Sequence, residues 1–174
     1  MSMCSSCPRI CRVDRKTERG FCGAGVPFEI ASYCLHKGEE PVISGARGSG
    51  AIFFTHCNLR CVYCQNFDIS HNGYGKSITE NELIDIFFRL QEQGAHNINL
   101  VSPTHYSYFL VPLLRKVKTM GLSIPIVYNT NGYEQYGMIE QLKGCVDIYM
   151  PDLKYGGDNA AEKYSACTNY VAIS

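Results

Sequence analysis

Residues 51–66 read AIFFTHCNLRCVYCQN, an apolar run that stops in three cysteines, Cys57, Cys61 and Cys64. A short continuous apolar run bounded by a glycine is the pattern of a strand buried on both faces of a parallel sheet. Downstream, strand and helix patterns alternate. Residues 79–93 place Leu83, Phe87 and Leu90 at helical spacing, with Thr79 and Glu82 as a capping box and Gly94 as a stop. Further strands are expected at 98–101, 124–128 and 146–150, and helices at 105–120, 134–142 and 158–165. Pro112 is expected to kink the second helix or mark its true start. Such alternation implies an α/β fold, a partial (βα) barrel of about four units over residues 51–174, with right-handed crossovers.

Residues 1–50 differ. They are rich in Cys, Gly and Arg and show little periodicity, which predicts a small irregular Cys-rich module with short strands near 28–34. The run SGARGSG at 44–50 reads as a flexible loop.

Sixteen basic residues balance sixteen acidic ones, which gives no electrostatic reason to expect nucleic acid or an anionic membrane as partner. No apolar run approaches the roughly 20 residues of a membrane span. The start, MSMCSSCPRICR, has no signal-peptide core, so the expected location is the cytoplasm. In a reducing compartment ten cysteines read as metal ligands rather than disulfides. Cys34, Cys145 and Cys167 are scattered, and Cys145 reads as a small buried hydrophobe.

Three thiolates spaced to wrap one small object leave one iron of a [4Fe–4S] cube open, whereas electron-transfer ferredoxins close all four. A zinc site with His56 as fourth ligand, or free buried thiols, are the plainer readings.

The C-x3-C-x2-C pattern after the first strand, with Tyr63 before the last Cys, resembles the radical S-adenosylmethionine (SAM) superfamily. HCNLRCVYCQN and the downstream segments are similar to its pyruvate formate-lyase activating enzyme branch. CSSCPRIC and GARGSGAIFF resemble uncharacterised activating-enzyme-like members. The resemblance implies a catalytic cluster on Cys57, Cys61 and Cys64, with SAM on the open iron and Tyr63 beside the adenine. It implies reductive cleavage of SAM to a 5′-deoxyadenosyl radical that abstracts hydrogen from a substrate, in oxidoreductase or lyase chemistry. It also implies a low-potential donor of flavodoxin or ferredoxin type, and possible activation of a glycyl-radical enzyme. The alternative is an iron–sulfur electron-transfer or metal-binding module without SAM turnover, an inactive fragment.

In α/β barrels function collects at the C-terminal ends of strands. Ser102 and Thr104 stand where many family members carry Gly-Gly-Glu, and become candidate SAM contacts or merely a helix cap. Asn129-Thr130-Asn-Gly is similar to an Asp-Thr-Asn-Gly run that helps bind a monovalent cation, with Asn129 lacking the charge; the bland reading is a turn. Met150-Pro-Asp152-Leu-Lys154 resembles Met-x-Asp-x-Lys, which implies Asp152 and the Met150 carbonyl at the cation or SAM site. Lys154 would face the SAM carboxylate, against a plain surface ion pair. His36 and Arg47 have no assigned role.

Cys4, Cys7, Cys11 and Cys22 supply four thiols for a second Fe–S cluster or a zinc ion, or stay free. Arg9, Arg12, Arg15 and Arg19 would screen thiolate charge or be solvated. Because related barrels have six units, the open edge after the fourth strand predicts an N-terminal part of a longer protein.

Overall fold

The computed structural model describes residues 3–174. Its strands are β1 (Phe28–His36), β2 (Ser49–Phe54), β3 (Lys76–Ile78), β4 (Ile98–Val101), β5 (Ile126–Thr130) and β6 (Ile148–Pro151). Its helices are α1 (Pro41–Ser44), α2 (Phe67–Ser70), α3 (Glu80–Glu92), α4 (Ser107–Thr119), α5 (Tyr136–Leu142), α6 (Asp158–Ser165) and α7 (Tyr170–Ile173). One sheet runs β3-β1-β2-β4-β5-β6. β2, β4, β5 and β6 are parallel, the four barrel strands expected, and β1 lies antiparallel between β2 and β3.

Side-chain alternation sorts the two faces of this sheet. Ile52 and Phe54, Ile98 and Leu100, and Ile126 and Tyr128 point to one side, where they bury against Leu83, Phe87 and Leu90 of α3 and Leu110 and Leu114 of α4. The opposite face carries Phe53, Val101 and Asn129, which share one rung of the ladder and line a cavity.

Local rules set most element ends. Thr79 and Glu82 form the capping box, with the Glu82 N–H donating to Thr79 Oγ1 at 3.2 Å and the Thr79 N–H to Glu82 Oε2 at 2.7 Å. Pro112 neither starts nor stops its helix: α4 begins at Ser107, after a short 3-10 turn over Thr104–Tyr106, and runs through the proline. The region near 28–34 is one nine-residue strand within the main sheet, so a division at residue 50 cuts across that sheet.

The segment 44–50 is not a flexible loop. Ser44 closes α1, and residues 48–50 are buried where β2 begins. Ser49 Oγ donates to Asn97 Oδ1 at 2.6 Å, and Gly50 lies so close to Asn97 O that an added Cβ would sit 2.8 Å from it. Cys145, 2% exposed, is the small core residue expected.

Candidate active site

Beyond β2 the chain enters the cysteine loop through left-handed backbone at His56 and Arg60, one residue before Cys57 and Cys61. Non-glycine residues adopt this conformation only when their surroundings impose it. Here the His56 N–H donates to Ile69 O at 2.9 Å, and Glu29 holds His56 Nε2 at 2.7 Å. His71 Nε2 lies 3.1 Å from Arg60 O, and the Val62 N–H donates to Tyr164 O at 2.9 Å. Leu59 is fully buried and pins the loop's centre.

The loop forms one wall of a cavity of about 540 Å³. Cys57, Cys61, Tyr63 and Cys64 of the loop line it together with Ser102, Asn129, Thr130, Asn131, Asp152 and Lys154 from the ends of β4, β5 and β6. Cys57 Sγ accepts from the Leu59 N–H and from Asn131 Nδ2, both at 3.4 Å. Burial pushes the Cys57 thiol up, opposed by backbone donors at Arg60 and Leu59 and by the Asn131 amide. N–H donors aimed at sulfur stabilise a thiolate and tune the potential of anything it ligates.

The far wall is tied together by Tyr170. Its Oη accepts from the Lys154 N–H at 2.9 Å and donates to Asn131 O at 2.8 Å, which joins the ends of β5 and β6. Lys154 Nζ pairs with Asp152; both are exposed residues that line the cavity. Burial lowers the Lys154 ammonium's affinity for its proton, but Asp152 more than offsets this and the pKa rises. Tyr63 is 54% exposed at the rim and meets Tyr155 and Tyr164 edge-on.

The sequence-based candidates do not all converge. Ser102, Asn129, Thr130, Asp152 and Lys154 reach the cavity; Thr104 and Met150 are not among its lining residues. Thr104 is 1% exposed and its Oγ1 donates to Glu134 Oε1 at 2.5 Å. Thr130 Oγ1 and Tyr128 Oη also donate to this carboxylate. Burial raises Glu134 from 4.5 to about 7, against the lowering effect of these hydroxyls. A neutral-range carboxyl therefore braces the wall from behind.

Sequence reasoning missed four site residues: Glu134, Asn131, His36 and Glu39. Glu39 accepts from Asn99 Nδ2 at 2.7 Å and Asn129 Nδ2 at 3.4 Å, and it lines the cavity with His36. Asn131 had a readable signal, since it stands inside the Asn-Thr-Asn-Gly run. The others acquire their roles only through tertiary contact.

Three thiols, with no fourth cysteine, line a small-molecule-sized cavity of an α/β protein. The Radical SAM superfamily profile matches residues 51–169, and the chain belongs to that superfamily. It is 35% identical over 179 aligned residues to an uncharacterized protein of Methanocaldococcus jannaschii, covering 98% of this chain and 51% of that protein. It is 29% identical over 117 residues to the pyruvate formate-lyase-activating enzyme of Clostridium pasteurianum, covering 62% of this chain and 46% of that enzyme. The chain thus spans about half the length of these relatives. Among the described residues no helix is long and apolar enough to cross a membrane.

Proposed function

We propose that Cys57, Cys61 and Cys64 hold a [4Fe–4S] cluster, and that the chain cleaves SAM reductively to initiate radical chemistry on a substrate. The observation that carries this reading is the shared cavity, lined by the three thiols together with Ser102, Asn129, Thr130, Asp152 and Lys154. When bound, the cluster supplies the electron that breaks a sulfonium C–S bond and so yields a 5′-deoxyadenosyl radical.

The protein's own residues would bind and orient. Lys154 offers an ammonium to the SAM carboxylate. Ser102 and Asn129 offer neutral polar groups to its amino end, and Tyr63 offers a ring face to the adenine at the rim. Asn129, Thr130 and Asp152 supply oxygens for a monovalent cation. A reduced flavodoxin- or ferredoxin-type protein would supply the electron, in a reducing, cytoplasmic setting that keeps the thiols free. By similarity to the activating enzyme, the substrate class is a protein glycine in a glycyl-radical enzyme.

The test is anaerobic reconstitution, reduction, and electron paramagnetic resonance (EPR) with and without SAM, for the wild type and Cys61→Ala. A [4Fe–4S]⁺ signal that shifts with SAM and is lost in the variant, with 5′-deoxyadenosine formed, supports the proposal. A signal indifferent to SAM favours an electron carrier without turnover.

A further inference from the structure

Outside the cavity, Cys4, Cys7, Cys11 and Cys22 gather in one irregular lobe. The Cys4 N–H donates to Val13 O at 2.9 Å and the Arg12 N–H returns to Cys4 O at 3.0 Å, so residues 4 and 12–13 lie side by side. Between them the Ile10 N–H closes a turn on Cys7 O at 3.1 Å. The Phe21 N–H donates to Cys11 Sγ at 3.3 Å, which brings Cys22 to the group, and the Ala24 N–H donates to Cys22 Sγ at 3.4 Å. Gly20 permits this approach, because a Cβ there would lie 2.9 Å from Cys11 Sγ.

Cys7 and Cys22 are almost wholly buried, and all four cysteines are unpaired. Ile10 and Arg12, on either side of Cys11, have positive φ values of 42° and 55°. Such backbone in a β-branched residue is sterically costly; here it aims Cys11 into the group.

Four unpaired thiols gathered in one lobe, two of them buried, are the donor set of a metal centre. Among the described residues no three His, Cys, Asp or Glu groups are placed to hold one metal ion, and this includes the Cys57, Cys61 and Cys64 set. A four-iron cube takes four thiolates and is tuned by hydrogen bonds to its sulfurs. Both cysteine sets receive backbone N–H donors at sulfur: Phe21 to Cys11, Ala24 to Cys22 and Leu59 to Cys57.

They also touch. Arg9, two residues after Cys7, donates from Nε to the carbonyl of Asn58 at 2.9 Å, and Asn58 directly follows Cys57. The same guanidinium lies 3.7 Å from the ring centre of Phe21, which precedes Cys22, and 5.5 Å from that of Tyr133. Asn58 Nδ2 in turn donates to Tyr133 O at 2.8 Å. A packed, hydrogen-bonded bridge thus runs from one cysteine set to the other.

We infer that Cys4, Cys7, Cys11 and Cys22 hold a second [4Fe–4S] cluster, which relays electrons from a low-potential protein donor to the cluster on Cys57, Cys61 and Cys64. This rests on the function proposed above. A reduced one-electron donor of flavodoxin or ferredoxin class is oxidised as the second cluster passes from 2+ to 1+. The second cluster returns to 2+ as the catalytic cluster becomes 1+. No bond breaks and no proton moves.

The experiment uses the full chain, reconstituted anaerobically, with iron and sulfide counted per chain. The wild type is expected to carry about eight irons, and Cys4→Ser/Cys11→Ser and Cys57→Ser/Cys64→Ser each to lose about four. Full iron in the first variant, with loss in the second, overturns the inference and leaves the proposed function standing. The reverse pattern does the opposite. Zinc at the N-terminal set also overturns it. The wild type alone gives a further check should a variant misfold: two EPR signals are expected, of which only one shifts with SAM, and a single cluster signal refutes the inference. Reduction by the protein donor is expected to be lost in Cys4→Ser/Cys11→Ser while dithionite still reduces the remaining cluster; undiminished reduction by the protein donor overturns the relay.

Discussion

Replacing Glu134 by Gln removes a charge without changing shape, and the structure sets what that does to stability. Glu134 is buried behind the cavity wall, and its pKa is raised from 4.5 to about 7 by burial, only partly opposed by Thr104, Thr130 and Tyr128. A carboxyl raised on folding stabilises the native state below its unfolded pKa, and that contribution is lost as pH climbs to the folded value. At about 1.4 kcal/mol per pH unit across this window, the loss amounts to roughly 3 kcal/mol. Glu134→Gln cannot ionise; its amide oxygen can accept from Thr104 and Thr130 and its NH2 can donate to Tyr128 Oη, so its stability lacks this slope. The wild-type curve alone is ambiguous, because His105 works in the opposite sense. Burial, then Arg15, lowers His105 from 6.5 to about 3, so its stabilisation is present above pH 6.5 and lost as pH falls. The difference between variants cancels that effect. Urea unfolding of both proteins, followed by circular dichroism from pH 4.5 to 8, should show the gap move in the variant's favour by roughly 3 kcal/mol up to about pH 7 and then level. Parallel curves would refute the reading of Glu134 as a buried, neutral-range acid.

Lys154→Met should weaken SAM binding to the reconstituted protein about tenfold, the worth of one charge-assisted hydrogen bond, while leaving its iron content intact; equilibrium dialysis and iron analysis read both. Gly50→Ala forces a Cβ to 2.8 Å from Asn97 O and 3.2 Å from Leu90 Cβ, and should cost about 1–3 kcal/mol in urea unfolding. Gly156→Ala, with nothing within 4 Å, should stay within about 0.5 kcal/mol as the control. Residues 51–174 expressed without the first fifty should show no cooperative unfolding transition, and a sigmoidal urea curve would count against a single folded body.

What the sequence made legible was what local chemistry decides. The Thr79–Glu82 box needs a reach of only three residues, and α3 follows from its apolar spacing. The strand at Ile98–Val101 is a continuous apolar run and was bounded correctly. β5 is different: Asn129 and Thr130 are polar, yet ladder pairing of Asn129 with Val101 and Met150 carries the strand through them. β3, Lys-Ser-Ile, is too short to show a period, and it is a strand through its pairing with β1. At the site, spacing put the three cysteines in one loop, and they do line one cavity, whereas Asp152 and Lys154 came through family resemblance. Glu134 looked like the start of a helix. The helix begins two residues later, at Tyr136, and the carboxylate turns inward to hydroxyls on β5 and the Thr104 turn. No local pattern announces such a contact.

The first fifty residues look like an appendage by composition and behave as part of the barrel in physical terms. Phe28 and Ile30 of β1 are 3% and 0% exposed in the main core, and burying such side chains contributes roughly 1.5–3 kcal/mol each. Arg15 is nearly buried and donates to the carbonyls of Ala24, Gly25 and His105, which ties the cysteine lobe to the turn after β4. Glu29 accepts the Thr55 N–H through its carbonyl and grips His56 through its carboxylate, so the entry to the cysteine loop is shaped from β1. Without β1, the backbone of β2 becomes a bare edge open to association. These losses together are comparable with the whole stability of a typical domain, about 5–15 kcal/mol. The cysteines proposed to ligate a second cluster therefore lie within the body that positions the Cys57–Cys64 loop, and Arg9 bridges the two cysteine sets.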